Sequence, residues 1–121
     1  MMEERRRFVR LPGPFEIRCA VLPSGTMQAT RAKDLSAGGA CLMTDAPLPP
    51  NTQLQMAIQL PERSEPVNAI GEAVWSETVE MTGKTQHQRH VETGVRFAEI
   101  APQDHEVLLE CIARSLRALQ S

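Results

Sequence analysis

Apolar and polar residues alternate with a period of two along most of this chain, the pattern of strands with one buried face. Phe15, Ile17, Cys19 and Val21 alternate with Glu16, Arg18 and Ala20. Pro23-Ser24-Gly25 supplies a turn into a second strand predicted over 27–34, so the two form a hairpin. A short apolar strand is predicted over 40–43. Leu54, Met56, Ile58 and Leu60 alternate with Gln53, Gln55 and Gln59, the clearest strand pattern present. Residues 67–79 read as a longer strand with Gly71 as a bend or bulge. Thr82-Gly83-Lys84 reads as a turn tip, and Val91, Thr93, Val95 and Phe97 mark the return strand. After Ala101 the period changes. Pro102 suits a first helical position, Asp104 and Glu106 suit a helix N-terminus, and Leu108, Ile112, Leu116 and Leu119 share one face. The predicted fold is therefore mostly β: a six-stranded antiparallel β-barrel, closed so that no edge is left open, with a C-terminal α-helix over about 103–120. The Leu11-Pro12-Gly13-Pro14 cluster is expected to block regular structure. That divides the chain into an arm, 1–13, and a barrel domain, 14–121.

Composition narrows what such a barrel can do. The length of 121 residues suits one domain with one core. Thirteen basic against fifteen acidic residues give a net charge of −2, which argues against a protein that coats nucleic acid. One Trp, three Phe and no Tyr leave little for a base-stacking platform along a single strand. No apolar run approaches the roughly 18 residues of a membrane span, and no apolar segment follows the charged N-terminus. Three scattered cysteines, Cys19, Cys41 and Cys111, fit reduced thiols better than a disulfide framework. The expectation is a cytoplasmic protein without nucleic-acid or membrane partners.

Two segments carry candidate chemistry. The first is Arg5-Arg6-Arg7-Phe8-Val9-Arg10. A terminal charge run is usually a solvated tail. Yet all four cations are arginine, whose planar fork grips a phosphate or the O6/N7 edge of guanine with two bonds. Glu3 and Glu4 offset part of the charge, which argues against indiscriminate polyanion binding. The second segment is Asp34-Leu35-Ser36-Ala37-Gly38-Gly39. Asp, Ser and Gly favour turns, and a turn between two strands accounts for them. A ligand accounts for them too. Paired glycines admit close backbone approach and positive φ, the serine hydroxyl can donate to a phosphate oxygen, and the aspartate can accept from N1 and N2 of guanine.

Arg6-x-x-x-Arg10, followed after one hairpin by Asp34-x-Ser36-x-Gly38-Gly39, resembles the PilZ domain family. Gly71 with Trp75 in one long strand and Gly94-Val95-Arg96-Phe97 in its partner extend the resemblance over essentially the whole chain. The resemblance implies the six-stranded barrel with its C-terminal helix and a receptor for the bacterial second messenger cyclic di-GMP, with no other cofactor. It nominates Arg6, Arg10, Asp34, Ser36, Gly38 and Gly39 as ligand-binding residues. Arg5 occupies a family position where an arginine accompanies an intercalated ligand dimer. A receptor of this kind passes its signal to a separate effector protein.

Other residues read as structural. His87 and His90 have the wrong spacing for one strand face, Arg89 between them repels a cation, and with His105 they are expected to be exposed rather than metal-binding. The cysteines lack a C-x-x-C arrangement, and Cys19, in the inward phase of its strand, and Cys111, near the helix's apolar stripe, are expected to be buried and inert. Trp75 reads as core or barrel rim. An alternative function is an adaptor of the same fold that binds no nucleotide. No nucleophile has a base beside it in sequence, so an enzyme is not expected.

Overall fold

The computed structural model describes residues 9–82 and 87–120. Six strands precede one helix: β1 Leu11–Val21, β2 Gln28–Leu35, β3 Gly39–Thr44, β4 Gln53–Gln59, β5 Val67–Thr82, β6 His87–Ile100 and α1 Pro102–Gln120. The strands close into a barrel in the order β1-β2-β3-β6-β5-β4, and every neighbouring pair is antiparallel. β4 shows why: Leu54, Met56 and Ile58 are buried inside while the alternate glutamines face out. Ile17, Leu35, Leu42 and Val67 fill the same interior. Thr93 is fully buried there, with its hydroxyl bonded to those of Thr44 at 3.0 Å and Ser76 at 2.6 Å, so its polarity is satisfied.

The pairing register shifts at four places; one, between β5 and β6 at Ile70/Gly71, falls where Gly71 was expected to bend its strand, and the other three re-aim side chains. The β1–β2 register shifts between Pro12 and Phe15. This is where the sequence reading needs correction. Leu11-Pro12-Gly13-Pro14 does not block structure but opens β1, with Leu11 opposite Leu35 and buried in the core. The bulge leaves Gly13 and Pro14 out of the ladder, so the missing N–H of Pro14 costs no ladder hydrogen bond. A second shift lies in β2, between Ala32 and Asp34. Strict alternation from Ala32 would turn Asp34 into the barrel; the bulge leaves Lys33 exposed and Asp34 half-buried outside the core. The third lies in β5, between Ala73 and Trp75. Ala69 and Ala73 are buried, yet Val74 and Trp75 are both exposed, and Ser76 turns back to reach Thr93.

α1 closes one end of the barrel. Leu108, Cys111 and Ile112 join the core cluster with Leu11, Leu35, Leu60 and Val67, and Leu116 packs at its border. Asp104, in the first turn, accepts from the Asn68 backbone N–H at 3.3 Å and fixes the helix start against β5. The opposite mouth is open. There Val21 keeps the inward phase of β1 but is 41% exposed, lining a cavity with Cys19 and Leu54. No described helix is long and apolar enough to cross a membrane. The expected turn tip at 83–84 lies outside the described residues, as does the side chain of Leu119.

Candidate functional site

The two arginine- and glycine-bearing segments meet at the helix-capped end. Arg10 directly precedes β1, whose Pro12 pairs with Asp34, and the Arg10 Nη1 donates to Asp34 Oδ1 at 3.1 Å. The pair is partly exposed, so water screens it and its net strength is small. From Asp34 the chain rounds a tight tip. The Ser36 N–H donates to the Gly39 carbonyl at 2.8 Å, and Ser36 Oγ accepts from the N–H groups of Gly38 and Gly39, each at 3.2 Å. The serine hydroxyl thus organises the loop from within, donating at 3.3 Å to the Gly39 carbonyl. The expectation of positive φ is corrected: no described glycine has one. Close approach is what Gly39 serves, since a Cβ there would stand 2.1 Å from the Val95 carbonyl oxygen.

Opposite this loop, β5 and β6 supply an aromatic wall. The bulge at Val74 turns Trp75 outward, and its register partner is Gly94. The indole lies across that glycine; a Cβ on Gly94 would sit 2.3 Å from Nε1. Two residues on, Arg96 donates from Nε and Nη2 to Glu72 Oε1 at 3.0 and 2.6 Å. Arg10, Ser36, Gly38, Gly39, Trp75 and Arg96 all line one cleft of about 290 Å³.

Of the residues nominated from sequence, Arg10, Ser36, Gly38 and Gly39 therefore share one cleft and Asp34 pairs with its arginine; Arg5 and Arg6 lie outside the described residues. Trp75 is corrected from core or rim to cleft wall, 40% exposed. Val74, Arg96 and Glu72 were not nominated at all. The signal that finds them is a tryptophan registered against a glycine, and it exists only once the strands are paired. His90 and His105 are each half-buried rather than exposed, bonded to Glu92 at 3.1 Å and to the Ala37 carbonyl at 3.2 Å. Among the described residues, no group of three or more His, Cys, Asp or Glu is placed to hold a metal.

In β3, Cys41 pairs with Asp34 on one side and Gly94 on the other. Burial first, then the carboxylates of Asp34 and Glu92, push its thiol up to about 11. Burial also pushes up the half-buried Cys19 thiol. The Glu92 carboxyl is held below its usual range chiefly by its hydrogen bond to His90, with burial opposing the shift and Lys33 adding to it.

A flat aromatic face, two guanidinium groups and a glycine loop in one cleft can take a ligand that is both planar and anionic. The indole offers stacking, sequence-tolerant and strong for a base, and the guanidinium forks offer paired donors. Both described cations of the cleft are already held by carboxylates, so they are oriented before any ligand arrives.

Comparison with solved structures finds the same fold. The PilZ domain of YcgR from Escherichia coli, solved with c-di-GMP, superposes with a TM-score of 0.74 at 20% identity, covering 96% of this chain and 94% of that one. MotI/DgrA, the inhibitor of motility from Bacillus subtilis, gives 0.68 at 21% identity over 93% of this chain and 52% of that one. The MrkH–c-di-GMP complex of K. pneumonia gives 0.70 at 17% identity over 94% and 52%. The chain thus spans about half the length of the latter two proteins. Comparison with curated protein sequences finds no match. The PilZ domain family model matches residues 4–114, nearly the full length, and with the closed barrel and the paired Arg10 and Asp34 segments this chain belongs to the PilZ domain family.

Proposed function

We propose that this PilZ domain is a cytoplasmic receptor for cyclic di-GMP that signals to a separate effector protein, without catalysis of its own. The observation that carries the reading is the Arg10–Asp34 pair, which joins the two motif segments at the rim of a cleft walled by Trp75. The ligand is a dianion with two guanines, and each part has a counterpart. Trp75 stacks on a purine, Arg10 and Arg96 grip phosphate or the guanine O6/N7 edge, and Asp34 accepts from guanine N1 and N2. Arg5 and Arg6 add forks from the arm, and Arg5 favours two intercalated ligand molecules. Binding exchanges one exposed ion pair for several bonds to the ligand, and the arm closes over the cleft as it does so. That closure is the signal an effector reads. The relatives YcgR and MrkH, solved with c-di-GMP, support the ligand class.

Titration calorimetry tests the reading. The wild type is expected to release heat with cyclic di-GMP and little with GMP, GTP or cyclic di-AMP. Arg10→Ala and Ser36→Ala are each expected to lose about tenfold to a hundredfold in affinity, the roughly 1–3 kcal/mol of a charge-assisted or loop-organising bond. Hydrogen exchange on the same samples is expected to slow over residues 4–12 when ligand is present. No heat from the wild type overturns the reading in favour of a nucleotide-free adaptor; unchanged exchange removes arm closure alone.

A further inference from the structure

The loop between β2 and β3 is held from three sides, and one hold comes from the helix. The Gly38 carbonyl accepts from the Phe97 N–H at 2.8 Å, and the Gly39 carbonyl is taken by Ser36. The Ala37 carbonyl accepts from His105 Nε2, in the first turns of α1, at 3.2 Å. The neutral Nε2–H tautomer and the imidazolium both donate in this geometry.

The bond matters because of what lies at the other end of the same peptide. The C=O of Ala37 and the N–H of Gly38 belong to one planar, trans unit and point in opposite directions. With the carbonyl drawn towards α1, the N–H donates to Ser36 Oγ, and both Gly38 and Ser36 line the cleft. Turning this peptide over would carry Gly38 to positive φ, which glycine adopts without penalty, and Ala37 is unconstrained by branching. Such a flip would replace a donor with a carbonyl oxygen at the cleft wall and would strip Ser36 of a partner. Within the Ser36-Ala37-Gly38-Gly39 sequence itself, the Ser36 hydroxyl favours the observed state through its bond to the Gly38 N–H, and His105 adds a second hold from outside the loop.

We infer that His105 is a positioning residue of the ligand site: by holding the Ala37 carbonyl it keeps the Gly38 N–H on Ser36 Oγ at the cleft lining and ties the loop to α1. This inference rests on the anionic-ligand reading of the cleft for its effect on binding, but not for its effect on the loop. The two are measured separately. Hydrogen exchange of the unliganded protein over residues 36–40 reports the loop. His105→Ala is expected to speed exchange of the Gly38 and Gly39 amides, and His105→Gln, whose amide nitrogen can replace Nε2 as donor, is expected to restore protection. Calorimetry with cyclic di-GMP reports the site: a loss of about three- to tenfold in His105→Ala, recovered in His105→Gln, is expected for one neutral bond. Thermal unfolding of both variants separates a fallen helix from a freed loop. Unchanged exchange at Gly38 and Gly39 in His105→Ala overturns the inference whether or not ligand binds. Faster exchange with unchanged affinity overturns its binding half. Absence of heat from the wild type overturns the receptor reading instead, and leaves the loop result to decide the positioning role.

Discussion

Cys41 shows how one residue takes its chemistry from its register. Its strand neighbours Ala40 and Leu42 point into the core, so alternation turns Cys41 to the outer face, where it is nonetheless only 4% exposed. Buried between Asp34 and Gly94, with Glu92 also close, its thiol titrates at about 11. The sign follows from the charge: burial and nearby carboxylates both disfavour the thiolate. At pH 8 only about one thiol in a thousand is ionised, against roughly a quarter for an ordinary cysteine of pKa about 8.5. Alkylation of the Cys19→Ser, Cys111→Ser variant by iodoacetamide at pH 8 is therefore expected to run at least about a hundredfold slower than that of a free cysteine peptide, and to reach the peptide's rate once denatured. Equal native and denatured rates would contradict both the burial and the charge account.

At the scale of the strand, the sequence was legible wherever period two ran unbroken and at Gly71, whose glycine marks a register shift, and misleading at the other bulges. Leu54, Met56 and Ile58 point inward as their alternation predicts, and Leu108 and Ile112 face the core as their helical spacing predicts. The bulges leave no mark in a hydrophobicity pattern. One hides the start of β1 inside a Pro-Gly-Pro cluster, and another turns Trp75 out when its phase after Ala69 and Ala73 points in. The candidate site is built where such breaks occur, so its motif residues were readable and its aromatic wall was not. Gly94 tests that wall. In Gly94→Ala the new methyl would stand 2.3 Å from the indole Nε1, and the exposed ring is free to swing away. Stability is expected to fall by no more than about 1–3 kcal/mol, while ligand affinity falls by the worth of a stack, about 1–3 kcal/mol or fivefold to a hundredfold. Trp75 is the sole tryptophan, so a red-shifted emission would accompany the loss. Unchanged emission and affinity together would mean that the indole does not depend on that glycine.

Across the whole molecule, the two ends of the barrel divide the work. At one end α1 inserts Leu108, fully buried, among residues that flank the motifs directly: Leu11 follows Arg10, and Leu35 lies between Asp34 and Ser36. Core and site are thus adjacent along the same backbone, and loosening one must loosen the other. At the far mouth, Val21 borders an open cavity of about 280 Å³ and no motif residue. The asymmetry predicts an asymmetric response to the same kind of cut. Leu108→Ala removes a packed side chain and is expected to cost about 2–5 kcal/mol, lowering Tm by on the order of 10 °C. Weaker cyclic di-GMP binding should accompany it, because the helix also carries His105. Val21→Ala removes a half-exposed methyl pair from an edge that is already open, so stability should change by about 1 kcal/mol or less and affinity not at all. Urea unfolding and calorimetry on the two variants compare the ends directly. Equal destabilisation would show that the core does not concentrate under the helix, and an affinity loss confined to Val21→Ala would put the ligand at the open mouth instead.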